Sequence, residues 1–512
     1  MKTYFKVLSI ILIFPFIVSA QISSSLHHVK SSSLTFNSGK NVPILLASYN
    51  QRVHNFSFDG KYLTTQLRGY RGNTQGLKDK GSVVRYDLIN NQSNFDFKFS
   101  YKYESFLFSK GYTIYYTATD SYMLNNENGK NKYKMDHNIY IIDSTKQIGM
   151  GYKIDEFPSN INRLEGIDLA SGTKIWERNI NRDYGWNDSY SLNDSTYLII
   201  SSGLHTVNPN TGKGWSYDAK TGNYGAANAF NVGLKVGTLV AVGLVGFVIL
   251  GPSIDINQRS CSCSNALIVD NNIFFSSFKK LAKLNKKTGE LSWEIDIPKN
   301  GETKLWIQNN ELYLLNTGKI MKGTTEANYS EPYFARYNIE NGDQIASIEL
   351  QDNLNRLVDY RINEDTATFV FNNQIKRYFV STNELIDQHK INVYTSGYLL
   401  GFPNKQYYHF QKEQFNPIKE DSTFLMLFNY GSIKKINHKY EVKESIEKEE
   451  LFEPILSFKN YQVLSNQTDT YLINSENEII YGPFKQENIK FENNRLMYSN
   501  GIQLIVFPTG LF

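Results

Sequence analysis

A short pattern recurs along this chain of 512 residues, and internal repetition constrains the architecture before any single residue is considered for chemistry. Each copy is an apolar strand that ends at Asp or Asn, followed by a tight turn that Gly or Asn closes. The turn begins at Asp168, Asn285 and Asn338 in three fuller copies, and at Asp87 in a shorter one. The fuller copies close it at Gly172, Gly289 and Gly342.

An apolar residue follows the turn at a fixed offset in the fuller copies. Trp176 and Trp293 occupy this position in two of them, and Ala346 occupies it in the third. The segment Val207–Trp215 is a more distorted, fifth copy. A large ring at this position can insert between neighbouring sheets, so we expect both tryptophans to pack there.

Each turn position has a physical role. Asp or Asn at the start can accept a hydrogen bond from the backbone two residues on, and Gly or Asn tolerates the positive φ that closes a tight hairpin. The flanking runs alternate apolar and polar residues, which predicts hairpins with one buried face. The chain is therefore predicted to be all-β.

The pattern resembles the PQQ-like repeat, which runs roughly L-x-A-L-D-x-x-T-G-K-x-x-W. Residues 164–176 and 281–293 carry this resemblance most fully. PQQ-like repeats build the β-propellers of quinoprotein dehydrogenases and of outer-membrane assembly lipoproteins. The resemblance implies a single β-propeller of about seven blades, seven or eight in all, each a four-stranded antiparallel sheet.

The N-terminal residues predict export. Lys2 and Lys6 precede an apolar run, and small residues precede Gln21, so a signal peptide over residues 1–20 is expected to be cleaved after Ala20. No cysteine lies near the cut, which excludes a lipid anchor there. We expect a polar segment over residues 21–41 and the propeller over 42–512. The mature protein is then periplasmic, outer-membrane-associated or extracellular.

The apolar, Gly-rich segment 226–252 interrupts the propeller. Between Lys235 and Pro252 it has sixteen uncharged residues, fewer than the ~20 that a helix needs to cross a bilayer. Repeat copies flank the segment, and a single crossing would put them on opposite sides of the membrane. Three alternatives stay open for this segment: it contacts a membrane surface, a partner, or the protein's own blades.

The two cysteines, Cys261 and Cys263, are separated by one residue and form no metal-binding set. A redox pair or an intermolecular disulfide is one interpretation. The other is a pair of small residues in a loop that enters a strand, because a disulfide across a single residue would be strained.

Catalytic motifs are absent from the sequence. There is no Gly-x-Ser-x-Gly elbow, no His-Glu-x-x-His and no phosphate-binding glycine-rich loop. We expect no catalytic residue, no metal site and no cofactor. The alternative is an oxidoreductase that uses PQQ or Ca2+ at the propeller channel, as the resemblance to quinoproteins implies; fold alone does not decide this.

Trp215, Tyr217 and His205 form a candidate recognition surface just before the apolar segment, unless they belong to a blade core. The net charge of +4, with no basic face visible in the sequence, argues against a nucleic-acid partner. The sequence thus predicts a non-enzymatic scaffold that binds an envelope protein or peptide. Glycan binding through exposed Tyr and Trp is a third hypothesis.

Overall fold

The computed structural model consists almost wholly of β-strands. It describes residues 25–72, 76–109, 111–154, 162–180, 188–201, 203–217, 249–250, 263–277, 279–298, 301–322, 325–328, 330–350, 357–363, 365–371, 374–390, 407–411, 413–418, 423–427, 432–437, 442–466, 468–508 and 510–511. The signal-peptide prediction, Cys261 and nearly all of the apolar segment lie outside these ranges.

The first four complete sheets follow the chain, each with its strands in sequential order. Strands β1 (Leu26–Thr35) and β2 (Asn41–Tyr49) precede them. Sheet 1 contains β3 (Val53–Phe58), β4 (Tyr62–Tyr70), β5 (Leu77–Asp87) and β6 (Gln92–Ser100). Sheet 2 contains β7 (Ser105–Ser109), β8 (Tyr112–Tyr116), β9 (Ser121–Leu124) and β10 (Asn131–Lys134). Sheet 3 contains β11 (His137–Asp143), β12 (Ile148–Lys153), β13 (Arg163–Asp168) and β14 (Lys174–Asn179). Sheet 4 contains β15 (Asp188–Asn193), β16 (Thr196–Ser201), β17 (Gly203–Val207) and β18 (Ser216–Tyr217).

Three more sheets continue the series after the two-residue strand β19 (Ile249–Leu250). Sheet 5 contains β20 (Leu267–Val269), β21 (Asn272–Ser277), β22 (Lys280–Asn285) and β23 (Leu291–Asp296). Sheet 6 contains β24 (Thr303–Gln308), β25 (Glu311–Asn316), β28 (Tyr333–Asn338) and β29 (Gln344–Glu349), with the hairpin β26 (Lys319–Lys322) and β27 (Thr325–Asn328) inserted. Sheet 7 contains β30 (Leu357–Asn363), β31 (Thr366–Phe371), β32 (Gln374–Phe379) and β33 (Leu385–Lys390).

The C-terminal part is less regular. The strands β34 (Tyr408–Gln411) and β35 (Gln414–Pro417) pair with each other, and β36 (Thr423–Leu427), β37 (Ser432–Asn437) and β38 (Val442–Glu447) form the three-stranded sheet 8. A 3-10 turn over Lys448–Glu450 leads into sheet 9, with β39 (Leu451–Phe458), β40 (Tyr461–Ser465), β41 (Thr470–Asn474) and β42 (Ile479–Phe484). The last strands are β43 (Asn488–Glu492), β44 (Arg495–Asn500) and β45 (Gln503–Val506).

One sheet joins the two ends of the described chain. The N-terminal β2 pairs with the C-terminal β45, which gives the order β1-β2-β45-β44-β43, here called the closure sheet. Such shared pairing closes the ring of sheets in a propeller and removes an open edge. Residues 21–41, predicted as a polar segment before the propeller, contain β1, which pairs antiparallel with β2.

The hydrophobic core is divided among the junctions between sheets. Clusters of buried side chains join the closure sheet to sheet 1, each pair of consecutive sheets from 1 to 7, and sheet 9 to the closure sheet. At the first junction, for example, Ala47 and Val506 share a cluster with Val53 and Leu67. Sheets packed face to face in series and closed by their terminal strands make the chain a β-propeller, as the sequence predicts.

Among the described residues, sheets 1 and 3–7 have four strands each. Sheet 2 and the closure sheet have five, and sheet 9 has six because β34 and β35 extend it. At about 45–60 residues per blade, the length of the chain predicts seven or eight blades. Many units are shorter than that allowance; sheet 3, for instance, runs from His137 to Asn179. The number of blades that close the ring stays a prediction.

The burial of the repeat hairpins differs from the prediction of one buried face. The strand that leads into the turn is buried on both faces, as in β22, where Leu281 to Leu284 are all buried. The strand after the turn, such as β23, is largely exposed. Stacking explains the difference, because a third strand lies between two neighbouring sheets whereas a fourth strand lies at the rim.

The connections at the two ends of the strands differ in length. At one end, here called the turn end, short turns connect first to second strands and third to fourth strands. At the other, the loop end, lie the connections between second and third strands and between successive sheets. The longer excursions leave from the loop end, including the hairpin β26–β27 and the chain between β18 and β20, which carries the apolar segment.

Two residues of the apolar segment belong to the described chain. Ile249 and Leu250 form β19, which pairs with Leu107 and Phe106 of β7. Within the described ranges, no helix is long and apolar enough to cross a membrane. Whether the remainder of 226–252 contacts a membrane or a partner stays a prediction.

Candidate functional site

The repeat turns share one hydrogen-bond pattern at the turn end. The Oδ1 atom of the first turn residue accepts the backbone N–H two residues on, at 2.7 Å for Asp168, 2.9 Å for Asn285 and 2.8 Å for Asn338. Asp87 accepts the N–H groups of Ile89 and Asn90, each at 2.9 Å. The closing residues have positive φ, between 54° at Asn91 and 79° at Gly342 in these copies.

Each repeat tryptophan packs on the turn of the next sheet. The ring of Trp176 lies against Gly212, and the ring of Trp293 lies against Gly342. Trp176 Nε1 donates to the carbonyl of Pro209 at 2.6 Å, and Trp293 Nε1 donates to that of Ile339 at 3.3 Å. These carbonyls stand at equivalent positions, one residue after the first residue of the turn. Ring and glycine therefore connect consecutive sheets.

Two further aromatic residues make the same contact in the first sheets. Tyr133 packs on Gly172 and its hydroxyl donates to the carbonyl of Leu169, while Phe95 packs on Gly129. The stretch Asn125–Lys134 is thus the third-to-fourth turn and last strand of sheet 2. The sequence shows the repeat turn pattern there, because Asn125 is followed four residues later by Gly129.

Of the three candidate recognition residues, Trp215 and Tyr217 lie at the junction of sheets 4 and 5, whereas His205 faces Arg178 of sheet 3. Trp215 is half-buried, packs on Gly289, and donates from Nε1 to the carbonyl of Lys286 at 3.1 Å. Tyr217 is buried, and its hydroxyl donates to Glu294 Oε2 at 2.8 Å. His205 is 2% exposed, with Nδ1 2.9 Å from Ser216 Oγ. These contacts give all three a packing role, and their role in recognition stays a prediction.

Burial of His205 should make stability depend on pH. Burial, and then Arg178, lowers the pKa of His205 to about 3. Below pH 6.5 the unfolded chain binds a proton that the native imidazole does not, so the free energy of unfolding falls by about 2 kcal/mol between pH 6.5 and pH 5. Above pH 6.5 this group contributes no slope. Urea denaturation at pH 7.5 and 5.0 should show a smaller difference for His205→Gln.

The exposed His28 of β1 supplies the control. The variant His28→Gln should keep the full difference between the two pH values. If His205→Gln keeps it as well, His205 is not held neutral by burial.

Cysteine placement does not decide between the two interpretations of the pair. The backbone of Cys263 bridges to Ser277, and its side chain packs against the cluster between sheets 4 and 5. The entry to β20 is therefore structured at Cys263, as expected for a loop that enters a strand.

The loop end of sheet 1 carries a basic and aromatic surface. Strands β4 and β5 continue as a projecting hairpin, in which Tyr70 pairs with Leu77 and Arg71 N–H donates to the carbonyl of Gly76 at 2.6 Å. Two large rings are exposed there, Tyr70 at 42% and Tyr103 at 50%. We call the following residues the loop-end surface: Arg52, Arg68, Tyr70, Arg71, Lys78, Lys80, Lys102 and Tyr103.

Cations hold the rings of this surface in place. The Arg52 guanidinium lies 5.0 Å from the ring centroid of Tyr70, and Lys102 Nζ lies 4.8 Å from that of Tyr103. Arg68 lies 4.4 Å over Tyr101, and its Nε donates to the carbonyl of Lys78 at 2.5 Å. Cation–π contacts of this kind are worth about 0.5–1 kcal/mol at exposed sites. These contacts favour the observed orientation of each exposed ring.

A glycine makes room for the base of the surface. Gly81 is covered by the Tyr101 ring and by the carbonyl of Leu67, and a Cβ there would lie closer than 3.0 Å to both. Tyr101 therefore lies flat across β5, where it supports Arg68. No local sequence pattern reveals this surface, because its residues come from four separate segments that only the fold brings together.

The loop-end surface carries cations that form no salt bridge among the described residues. Arg52 pairs with Glu487 at 2.7 Å, and Arg71 pairs with Asp79 at 2.6 Å. Among the residues that the structure describes, Lys78, Lys80 and Lys102 form no salt bridge. The pKa of the nearby His54 is lowered to about 4, first by burial and then by Arg68 and Arg52. Cations therefore outnumber the carboxylates that pair with them on this surface.

A polar cleft of about 350 Å3 opens at the turn end between sheets 6 and 7. The charged groups that line it are largely satisfied within the protein. Arg336 Nη1 pairs with Glu311 at 2.8 Å, and Asp365 accepts both the N–H and the hydroxyl of Ser381. Across the described part of the chain, no cluster of three or more His, Cys, Asp or Glu side chains could hold a metal ion.

Comparison with known proteins yields only distant similarities. No protein-family model matches the sequence, and no curated protein matches it. Among solved structures, BamB from Moraxella catarrhalis is 12% identical, with a TM-score of 0.30, over 74% of this chain and 95% of that one. The computationally designed Ika8 protein is 11% identical, with a TM-score of 0.27, over 76% and 96% of the two chains.

A third solved structure is similar to the same extent. KlHsv2, with its loop 6CD replaced by a Gly-Ser linker, is 8% identical, with a TM-score of 0.28, over 78% of this chain and 99% of that one. TM-scores this low assign neither a family nor an activity. The propeller fold rests instead on the sheet order and on the closure sheet.

Proposed function

We propose that this protein is an exported, non-enzymatic β-propeller that binds a protein or peptide partner in the cell envelope and acts as an assembly scaffold. The observation that carries the proposal is the loop-end surface, where exposed Tyr70 and Tyr103 stand among cations. Tyr and Arg are enriched among the residues that dominate binding energy at protein interfaces. A rigid sheet that presents such groups on a projecting hairpin is suited to recognition.

The difference in connections between the two ends of the propeller supports the same proposal. The turn end of the first six sheets is closed by repeated tight turns, which the rings of the preceding sheets cover in five of them. The longer connections lie at the loop end, together with the projecting hairpin of sheet 1. Connections that vary around a constant scaffold are where propellers place binding residues.

The cellular setting of the proposal comes from the sequence. A positive start, an apolar run and small residues before Gln21 predict cleavage after Ala20 and export. The PQQ-like pattern adds the resemblance to outer-membrane assembly propellers. An envelope partner in the periplasm, at the outer membrane or outside the cell is part of the proposal.

Photo-crosslinking in living cells tests the proposal. We expect benzoylphenylalanine in place of Tyr103 to yield a discrete crosslinked protein, because that ring is half exposed on the binding surface. The product is resolved by gel electrophoresis and identified by mass spectrometry.

The matched control lies on the same sheet at the opposite end. Ile89, in the turn between β5 and β6, is 72% exposed and so is at least as accessible to a passing protein. The same reagent at Ile89 should give no discrete product. Equal crosslinking from the two ends, or none from Tyr103, would contradict the scaffold proposal.

A further inference from the structure

We infer that the loop-end surface binds an acidic peptide segment in extended conformation; the inference rests on the proposed function and names the chemistry of its partner. Strand β5 carries two of the cations of this surface. Lys78 and Lys80 are both exposed. Leu77, just before them, and Asp79, between them, are partly buried. Alternate residues of a strand point to the same face, so the two ammonium groups project together.

Strand β5 pairs irregularly with β4 beside these lysines, but it pairs regularly with β6, where Lys80 lies opposite Ser100. Along β6 the spacing of the two lysines matches an extended chain. Two residues along a strand cover about 6.6–6.8 Å, and any second peptide in β conformation has the same period. Carboxylates at alternate positions of such a peptide can meet Lys78 and Lys80 in register. Asp79 lies on the other face of β5, where it pairs with Arg71 at 2.6 Å. It therefore does not neutralise Lys78 or Lys80.

Charge around the two lysines reinforces the preference for an acidic partner. Lys98 of β6 is also exposed and lies on the same face of the sheet, because it pairs with Ser82, four residues after Lys78. Like charges held together on one surface repel each other, and an anionic segment relieves that repulsion.

A peptide fits this surface better than an anionic membrane does. The cations follow one projecting strand and its supporting loops, whereas a bilayer is bound by a plane of cations and inserted apolar side chains.

Fluorescence anisotropy with synthetic peptides tests the inference on the mature protein. The probe is a fluorescein-labelled twelve-residue peptide of alternating Glu and Thr, and its comparison is the same peptide with Gln in place of Glu. We expect the Glu peptide to bind at low salt, to weaken as salt rises, and to bind about tenfold more weakly to the double variant Lys78→Ala, Lys80→Ala. The Gln peptide should bind far more weakly to the unaltered protein.

A second pair of lysines gives the control. Lys130 and Lys132 have the same spacing and are both exposed, but they lie at β10 of sheet 2. Their double replacement by Ala should leave the affinity for the Glu peptide unchanged. Equal effects of the two double variants, or equal binding of the Glu and Gln peptides, would overturn the inference.

Two further outcomes distinguish peptide binding from membrane binding and from the scaffold proposal. If vesicles containing phosphatidylglycerol bind in a manner that depends on Lys78 and Lys80 while the Glu peptide does not bind, the surface recognises membrane and the peptide inference is wrong. If the Glu peptide fails but Tyr103 still crosslinks to a protein in cells, the scaffold proposal stands and only the acidic partner is excluded.

Discussion

Replacing Gly289 with Ala is expected to lower the free energy of unfolding by about 4 kcal/mol. Gly289 has φ of +72°, which costs an L-residue about 1–2 kcal/mol. The added Cβ would lie closer than 3.0 Å to the Trp215 ring, and displacing that ring costs about 1–3 kcal/mol more and weakens its hydrogen bond to the Lys286 carbonyl. Urea denaturation followed by tryptophan fluorescence measures the loss.

Gly39 separates the backbone effect from the ring contact. It has φ of +81°, similar to Gly289, but a Cβ there would meet no atom within 4 Å. Gly39→Ala should therefore cost only the backbone part, about 1–2 kcal/mol. If the two variants lose the same stability, the ring-on-glycine contact does not hold sheets 4 and 5 together.

Removing the Arg85 side chain is expected to cost about 3–5 kcal/mol in the free energy of unfolding. Arg85 is fully buried between sheets 1 and 2, where Nη2 pairs with Asp59 at 2.6 Å. Its Nη1 donates to Thr64 at 3.1 Å and to Thr113 of β8 at 2.9 Å. Arg85→Ala leaves these acceptors without their donor and opens a cavity against the Tyr62 ring, over which the guanidinium lies at 4.4 Å. The loss is again read from urea denaturation.

An exposed arginine on the same sheet provides the comparison. Arg71 pairs with Asp79 at 2.6 Å, yet its side chain is 58% exposed. Exposed ion pairs contribute about 0–1 kcal/mol, so Arg71→Ala should change stability little. A loss at Arg71 equal to that at Arg85 would mean that burial is not what makes the Arg85 network important.

Local sequence predicted the turns well because their geometry depends on neighbouring residues. Asp168 and Asn285 accept backbone N–H groups two residues on, and Gly172 and Gly289 adopt positive φ, all within a few positions of one another. The loop-end surface could not be found in this way. Tyr70 and Tyr103 are 33 positions apart, and their proximity depends on the pairing of β4, β5 and β6.

The sequence by itself determined the kind of element this chain forms, because turn chemistry and strand alternation are properties of neighbouring residues. Only the tertiary structure decided which ring rests on which glycine. Trp176 lies on Gly212 of the next turn and not on its own Gly172, since stacked sheets place each rim strand beside the following hairpin. The same stacking buries Tyr217 and leaves Tyr103 exposed, and burial of this kind depends on residues distant in the sequence.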